Sequence, residues 1–170
     1  MNARARGAHV HRASVRVVGL TLGALVLLSP LLSPAGALPR YRIQAAPQLH
    51  LTEGNELWEL DRRVMPCTYC HVNADGGASW NPFGQAIQAT FAREAKEGRH
   101  LTFPQALYTL LQADTDADGD GYPDALEVYA KTLPGDPASH PATPLDELRA
   151  AFAAAGGAEQ YAPPKKKAGK

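Results

Sequence analysis

Cys67 and Cys70 are the chain's two cysteines, and His71 follows the second directly. Only Thr68 and Tyr69 separate the thiols, so one tight turn brings both to the same side, where each can add across a vinyl group of a single porphyrin. The next residue then lies under the ring, with an imidazole able to ligate iron. A C-x-x-C-H run therefore reads as a haem c attachment site, one per chain, with Cys67 and Cys70 as anchors and His71 as axial ligand. Two other readings use the same residues. A thioredoxin-like redox pair wants a βαβ setting, for which the sequence has no pattern. A tetrahedral zinc site wants a fourth ligand from scattered histidines or acids.

A second constellation begins about 45 residues after the cysteines, as Asp116-Ala117-Asp118-Gly119-Asp120-Gly121-Tyr122-Pro123-Asp124-Ala125-Leu126-Glu127. Counting from Asp116 puts acids at the first, third and fifth positions, Gly121 at the sixth, the Tyr122 carbonyl at the seventh, Asp124 at the ninth and Glu127 at the twelfth. That set supplies the oxygen ligands a calcium ion takes in a D-x-D-x-D-G-x5-E loop. Counting from Asp114 instead would lose the twelfth-position acid to Ala125. One bound Ca2+ is expected, because so many carboxylates repel one another without a cation. A solvated acidic turn is the bland alternative.

Residues 67–71 resemble the attachment motif of the c-type cytochromes, and the run Gly76-Gly77 through Asn81-Pro82-Phe83-Gly84 is similar to the stretch just after the motif in some small bacterial haem proteins. The resemblance implies thioethers at Cys67 and Cys70, His71 as proximal ligand, and attachment after export. It departs from the methionine-ligated class, because the one methionine beyond the leader, Met65, stands two residues before Cys67. It departs from the open-site bundle cytochromes too, since their motif lies near the chain end. Among the histidines, His100 is the expected distal ligand, ahead of His50 and His140, with an open or water-bound iron as the alternative. Trp80 and Phe83 are expected to pack on the haem, and Arg62 or Arg63 to approach a propionate. The acidic loop resembles an EF-hand, yet Pro123 at its eighth position removes the backbone donor that pairs two such loops. It is closer to the solitary calcium loops of exported bacterial proteins, including thrombospondin-type repeats, which implies a structural ion.

The elements that must position these residues read as helices. Glu56 to Val64 has Leu57, Leu60 and Val64 on one side. Asn81-Pro82 opens a helix to Glu97, with Phe83, Ile87, Phe91 and Ala95 on one face and Gly98 as its stop. Thr102 to Gln105 resembles a capping box for a helix through Leu107, Leu110 and Leu111. Ala125 to Thr132 continues from the loop as a helix ended by Pro134-Gly135, and a last helix starts at Thr143-Pro144, carries Leu145, Leu148 and Phe152, and stops at Gly156-Gly157. Residues 38–54 read as an extended lead-in. Strand signals are nearly absent. The expected fold is all-α: four to five short helices around one covalent haem, with a helix–loop–helix calcium site.

Residues 1–37 read as an export leader, with Arg4, Arg6, Arg12 and Arg16 before an apolar stretch and Ala35-Gly36-Ala37 as the cleavage site. The leader holds four of the 17 basic residues and none of the 17 acids, so the remainder is acidic by four. That balance excludes nucleic acid as a partner. The expected organisation is a haem-binding region over 38–113, the calcium loop and its exit helix over 114–133, a C-terminal helix on the same domain over 134–157, and a disordered tail over 158–170 that includes Lys165 to Lys167. The function expected is one-electron transfer to a redox partner protein by an exported, periplasmic or secreted cytochrome with no membrane span after processing, a carrier and not a catalyst. A haem sensor or peroxidase-like protein with an open distal site is the first alternative, and a calcium-dependent envelope interaction module the second.

Overall fold

The computed structural model describes residues 39–52 and 65–163. Five α-helices and two 3-10 turns form there, and pairing between extended segments is confined to one antiparallel bridge, His71 to Trp80. The all-α expectation holds for these residues. The leader, the expected Glu56–Val64 helix and Lys165–Lys167 lie outside them.

Helix α1, Pro39–Gln48, replaces the extended lead-in expected from local pattern. Proline is tolerated in a first turn, as at Pro39, whereas Pro47 in the last turn has no amide to give to the helix. Burial decides the outcome: Ala45, Ala46, Leu49 and Leu51 are all 0–2 % exposed. Tertiary burial of this kind overrides weak local propensity. Gln48 fastens the helix end by donating from Nε2 to the carbonyls of Pro104 and Tyr161, each at 2.9 Å.

Helix α2, Pro82–Lys96, starts where the Asn-Pro signal placed it. Asn81 caps it by accepting from the Gly84 amide at 2.8 Å, and Gly98 beyond it is left-handed at φ 76°. Its buried face is Phe83, Gly84, Ile87, Thr90 and Glu94. Glu94 is tolerated there because Arg99 and Arg93 donate to it at 2.6 and 3.3 Å, which holds its carboxyl below the usual range.

Helix α3, Phe103–Leu111, begins with Gln105 Oε1 accepting from both the amide and the hydroxyl of Thr102 at 2.8 Å. It buries Phe103, Ala106, Leu107, Leu110 and Leu111, and both α1 and α2 pack against it. Helix α4, Asp124–Ala130, leaves the acidic loop and stops earlier than Pro134-Gly135 would dictate. Lys131 takes a left-handed φ of 65° and its Nζ donates to the Leu49 carbonyl at 2.8 Å. Helix α5, Leu145–Ala154, packs on α4, with Phe152 edge-on to Tyr129 at 5.5 Å.

The expected tail from residue 158 is corrected over its first part. Gly157–Tyr161 forms a 3-10 turn that packs on α3 and α5, and the Tyr161 side chain is fully buried. An aromatic ring removes too much apolar area from water to be left in a tail. Tyr161→Ala is accordingly expected to lower unfolding stability by about 3 kcal/mol. Chemical denaturation measures this, and a change within experimental error would return the segment to a solvated end.

Candidate functional site

The cysteine turn is built by its own backbone. Pro66 sits in extended geometry, Cys67–Tyr69 coils as a 3-10 turn, and the Cys67 carbonyl accepts from the amides of both Cys70 and His71 at 3.1 and 2.9 Å. The chain then doubles back: Val72 donates to the Ser79 carbonyl at 2.9 Å and Asn81 to the Cys70 carbonyl at 3.1 Å. This pairing lays the Trp80 ring on the His71 imidazole, centroids 4.1 Å apart. His71 is 4 % exposed, and its buried Nδ1 has no hydrogen-bond partner among the described residues.

Cys67, Cys70 and His71 all line one cavity of about 320 Å³. Ile87 and Phe91 of α2 and Phe103 of α3 line it, with Tyr41 and Arg42 of α1 and Met65 completing the wall. Tyr41 lies flat on Phe103, centroids 4.4 Å apart, and the Arg42 Nε donates to the Met65 carbonyl. Both cysteines are free thiols, and burial, then the neighbouring Cys67, pushes the Cys70 thiol up to about 12.

The structure gathers some of the expected residues here and sends others away. Trp80 belongs to the site. Phe83 is fully buried in the core instead, edge-on to Tyr69 at 5.8 Å, because it faces α3 from the first turn of α2. His100 is exposed beyond the end of α2 and does not line the cavity. The helix ends at Lys96 and the left-handed Gly98 redirects the chain before His100 is reached. His50 and His140 are exposed too, against the rings of Tyr161 and Tyr122 at 5.5 and 6.2 Å. Met65, two residues before Cys67 and not expected to serve as distal ligand, lines the cavity and is 4 % exposed. Arg62 and Arg63 lie outside the described residues. The basic residue seen at the cavity is Arg42, which sequence reasoning missed; the signal that could have found it is Tyr41-Arg42 one turn before the apolar pair Ala45-Ala46.

The acidic loop folds around its own carboxylates. Asp116 accepts from the amides of Gly119 and Gly121 at 2.7 and 2.9 Å, Asp118 from that of Asp120 at 3.3 Å, and Asp120 from that of Tyr122 at 2.8 Å. Carboxylate oxygens of Asp116, Asp118 and Asp120 come within 4.8 Å of one another. Asp118 Oδ2, Asp120 Oδ2 and both oxygens of the fully buried Glu127 have no hydrogen-bond partner among the described residues. Burial, then Asp118 and Asp120, pushes the Glu127 carboxyl up to about 9. Asp124 plays a different part from the one expected: its two oxygens accept from the Ala117 amide and the Thr115 hydroxyl at 2.9 and 2.8 Å, tying the loop's start to α4. Asp114 stands apart, paired with Arg149 at 3.2 Å. The Tyr122 hydroxyl donates to the Thr143 carbonyl at 3.1 Å, anchoring the loop near α5.

No protein-family model, curated protein or solved structure matches the chain. Among the described residues no helix is long and apolar enough to cross a membrane.

The buried acids set a pH dependence for the cation-free protein. Glu127 and Asp124, raised to about 9 and about 6, are held more firmly in the neutral form when folded than when unfolded. Their contribution is complete below the ordinary carboxylate pKa and is lost as pH rises through the folded values. In chelator the melting temperature should therefore fall between pH 5 and pH 9, and millimolar calcium should abolish the fall. A flat profile in chelator, or none of the loss recovered by calcium, would contradict this account of the loop.

Proposed function

We propose that the protein is a single-haem c-type cytochrome that transfers one electron at a time and carries one calcium ion as a structural brace. One observation carries the reading: Cys67, Cys70 and His71 of Cys67-Thr68-Tyr69-Cys70-His71 line the same largely apolar cavity. The donor set fits the group. Two free thiols suit thioether formation, and a buried imidazole with an unpartnered nitrogen suits an axial ligand.

When bound, the haem supplies a ferric–ferrous couple. The chain's own residues do the rest. Cys67 and Cys70 would hold the group through their sulfurs, and Trp80, stacked on the imidazole, orients the His71 ring. Ile87, Phe91 and Phe103 exclude water, which favours the less charged iron state and raises the potential. Arg42 brings a cation to the otherwise apolar wall. In the loop, Asp116, Asp118, Asp120 and Glu127 would give oxygens to calcium, and neutralising them would remove the repulsion among these carboxylates. The export reading of residues 1–37 agrees with both cofactors, because haem c is attached after export and calcium is abundant outside the cell. A redox partner protein is then required to deliver and accept the electron.

A second reading, binding of a small molecule at an exchangeable sixth coordination position, is favoured by one observation. His50, His100 and His140 all lie away from the cavity lining.

A visible spectrum of reduced protein, exported from a host competent in haem attachment and recorded with and without carbon monoxide, tests both readings. Haem c bands that survive acidic acetone extraction are expected, and Cys67→Ser with Cys70→Ser should release the haem to the solvent. A spectrum unmoved by carbon monoxide supports electron transfer; a clear shift moves the small-molecule reading ahead. Protein with no haem bands would overturn the proposal.

A further inference from the structure

We infer that Asn81 is a positioning residue for the cysteine turn, its carboxamide holding Cys67, Cys70 and His71 toward one cavity. The inference deepens the proposed function and rests on its reading of the cysteines as haem anchors.

Asn81 is 5 % exposed and uses every polar group it has. Its Oδ1 accepts from the Gly84 amide at 2.8 Å, which is an ordinary helix cap. Its Nδ2 donates at 2.8 Å to the carbonyl of Thr68, the residue directly after the first cysteine. Its backbone amide donates to the Cys70 carbonyl at 3.1 Å. One residue thus grips the cysteine turn at its middle and its end and ties both to the start of α2.

Two glycines close the space around this grip. A Cβ on Gly84 would lie 2.1 Å from the Cys70 carbonyl oxygen, so the turn rests directly on the α2 backbone. A Cβ on Gly135 would lie 2.6 Å from Cγ, Nδ2 and Oδ1 of Asn81. The carboxamide is therefore held from a third side by the segment that follows α4.

A cap alone does not account for asparagine. Serine and aspartate cap as well as asparagine does, but neither presents a second donor that could reach the Thr68 carbonyl while its oxygen serves Gly84. Asn81→Asp would set an anion against that carbonyl oxygen; Asn81→Ser would leave the carbonyl unpaired. Both changes keep the helix start and release the turn, which separates positioning from capping.

The experiment uses the full chain without haem and reads iodoacetamide modification of Cys70 by mass spectrometry, alongside haem attachment yield and the denaturation midpoint. Cys70 is buried, so its modification reports local opening of the turn. Loss of one buried hydrogen bond corresponds to about a tenfold change in an opening equilibrium. Asn81→Ser and Asn81→Asp should each raise the Cys70 modification rate about tenfold and lower attachment yield, with α2 still formed by circular dichroism. Gly135→Ala, which presses on the carboxamide and touches neither cysteine, should act in the same direction. Folded Asn81→Ser and Asn81→Asp with wild-type Cys70 protection would overturn the inference. Should both fail to fold, Gly135→Ala decides it, because wild-type protection there would mean the carboxamide does not hold the turn. Wild-type protein that takes no haem would sink the proposed function alone, since the protection ratio still reads what Asn81 does.

Discussion

The contact between the Cys70 carbonyl and the backbone of α2 is the constraint on which the site depends. No side chain separates them: the oxygen lies where a Cβ on residue 84 would be, and the Trp80 ring leaves no space for either to retreat. Such an approach fixes the turn to a rigid helix instead of leaving it on a loop. The consequence reaches outward in both directions. Trp80, the residue before the cap, is carried onto His71, and α2 presents Ile87 and Phe91 to the same cavity. A single glycine thus converts a local C-x-x-C-H spacing into a wall, two sulfurs and an imidazole arranged around one volume.

Glu127 imposes the complementary constraint. A fully buried carboxyl with two unpartnered oxygens must be either neutral or matched by a cation, since an isolated buried carboxylate is far too costly. Protonation at neutral pH is consistent with the upward push to about 9, yet it would leave Asp116, Asp118 and Asp120 converging with no counter-charge. The proposed calcium would supply that counter-charge. The same helix leads through Lys131 to Pro134-Gly135 and so to the flank of Asn81, which makes α4 the element shared by the acidic loop and the cysteine turn. Burial, then Tyr161 and Cys70, and after them Glu127 and Asp124, push up the hydroxyl of Tyr69, which sits inside the C-x-x-C-H run. The two constellations read separately in the sequence belong to one core.

What was legible in the sequence was what local chemistry determines. Asn81-Pro82, Thr102 with Gln105, and Gly98 are start and stop signals whose hydrogen bonds or dihedrals lie within a few residues, and the helices they bound were found where expected. The turn of the acidic loop is local in the same way, since its amides bond to its own aspartates. What was not legible depends on distant packing. Helix α1 has little amphipathic pattern and two prolines, and forms because Ala45, Leu49 and Leu51 find the core. Tyr161 carries no local signal that would separate it from a tail. Arg42 reaches the cavity from about 25 residues before the first cysteine, and His100 misses it because a left-handed glycine turns the chain just before it. Asp124 shows the limit within a motif: spacing identified an acid at the right place, while Thr115 and Ala117 determine what its oxygens do.

The cavity itself bears on what the chain is for. Protein interiors are packed close to crystal density, and apolar surface left facing a void or water forfeits both contacts and transfer energy. Among the described residues, Ile87, Phe91, Phe103 and Trp80 help line a partly open cleft of about 320 Å³. A sequence selected for stability alone would close such a gap. The cleft's lining joins two cysteines and a histidine to an aromatic and aliphatic wall, a combination that the proposed haem would use in full. That combination of demands favours haem over a metal ion bound by Cys67, Cys70 and His71 alone, because a zinc ion would use the sulfurs and the nitrogen and have no need of the aromatic wall.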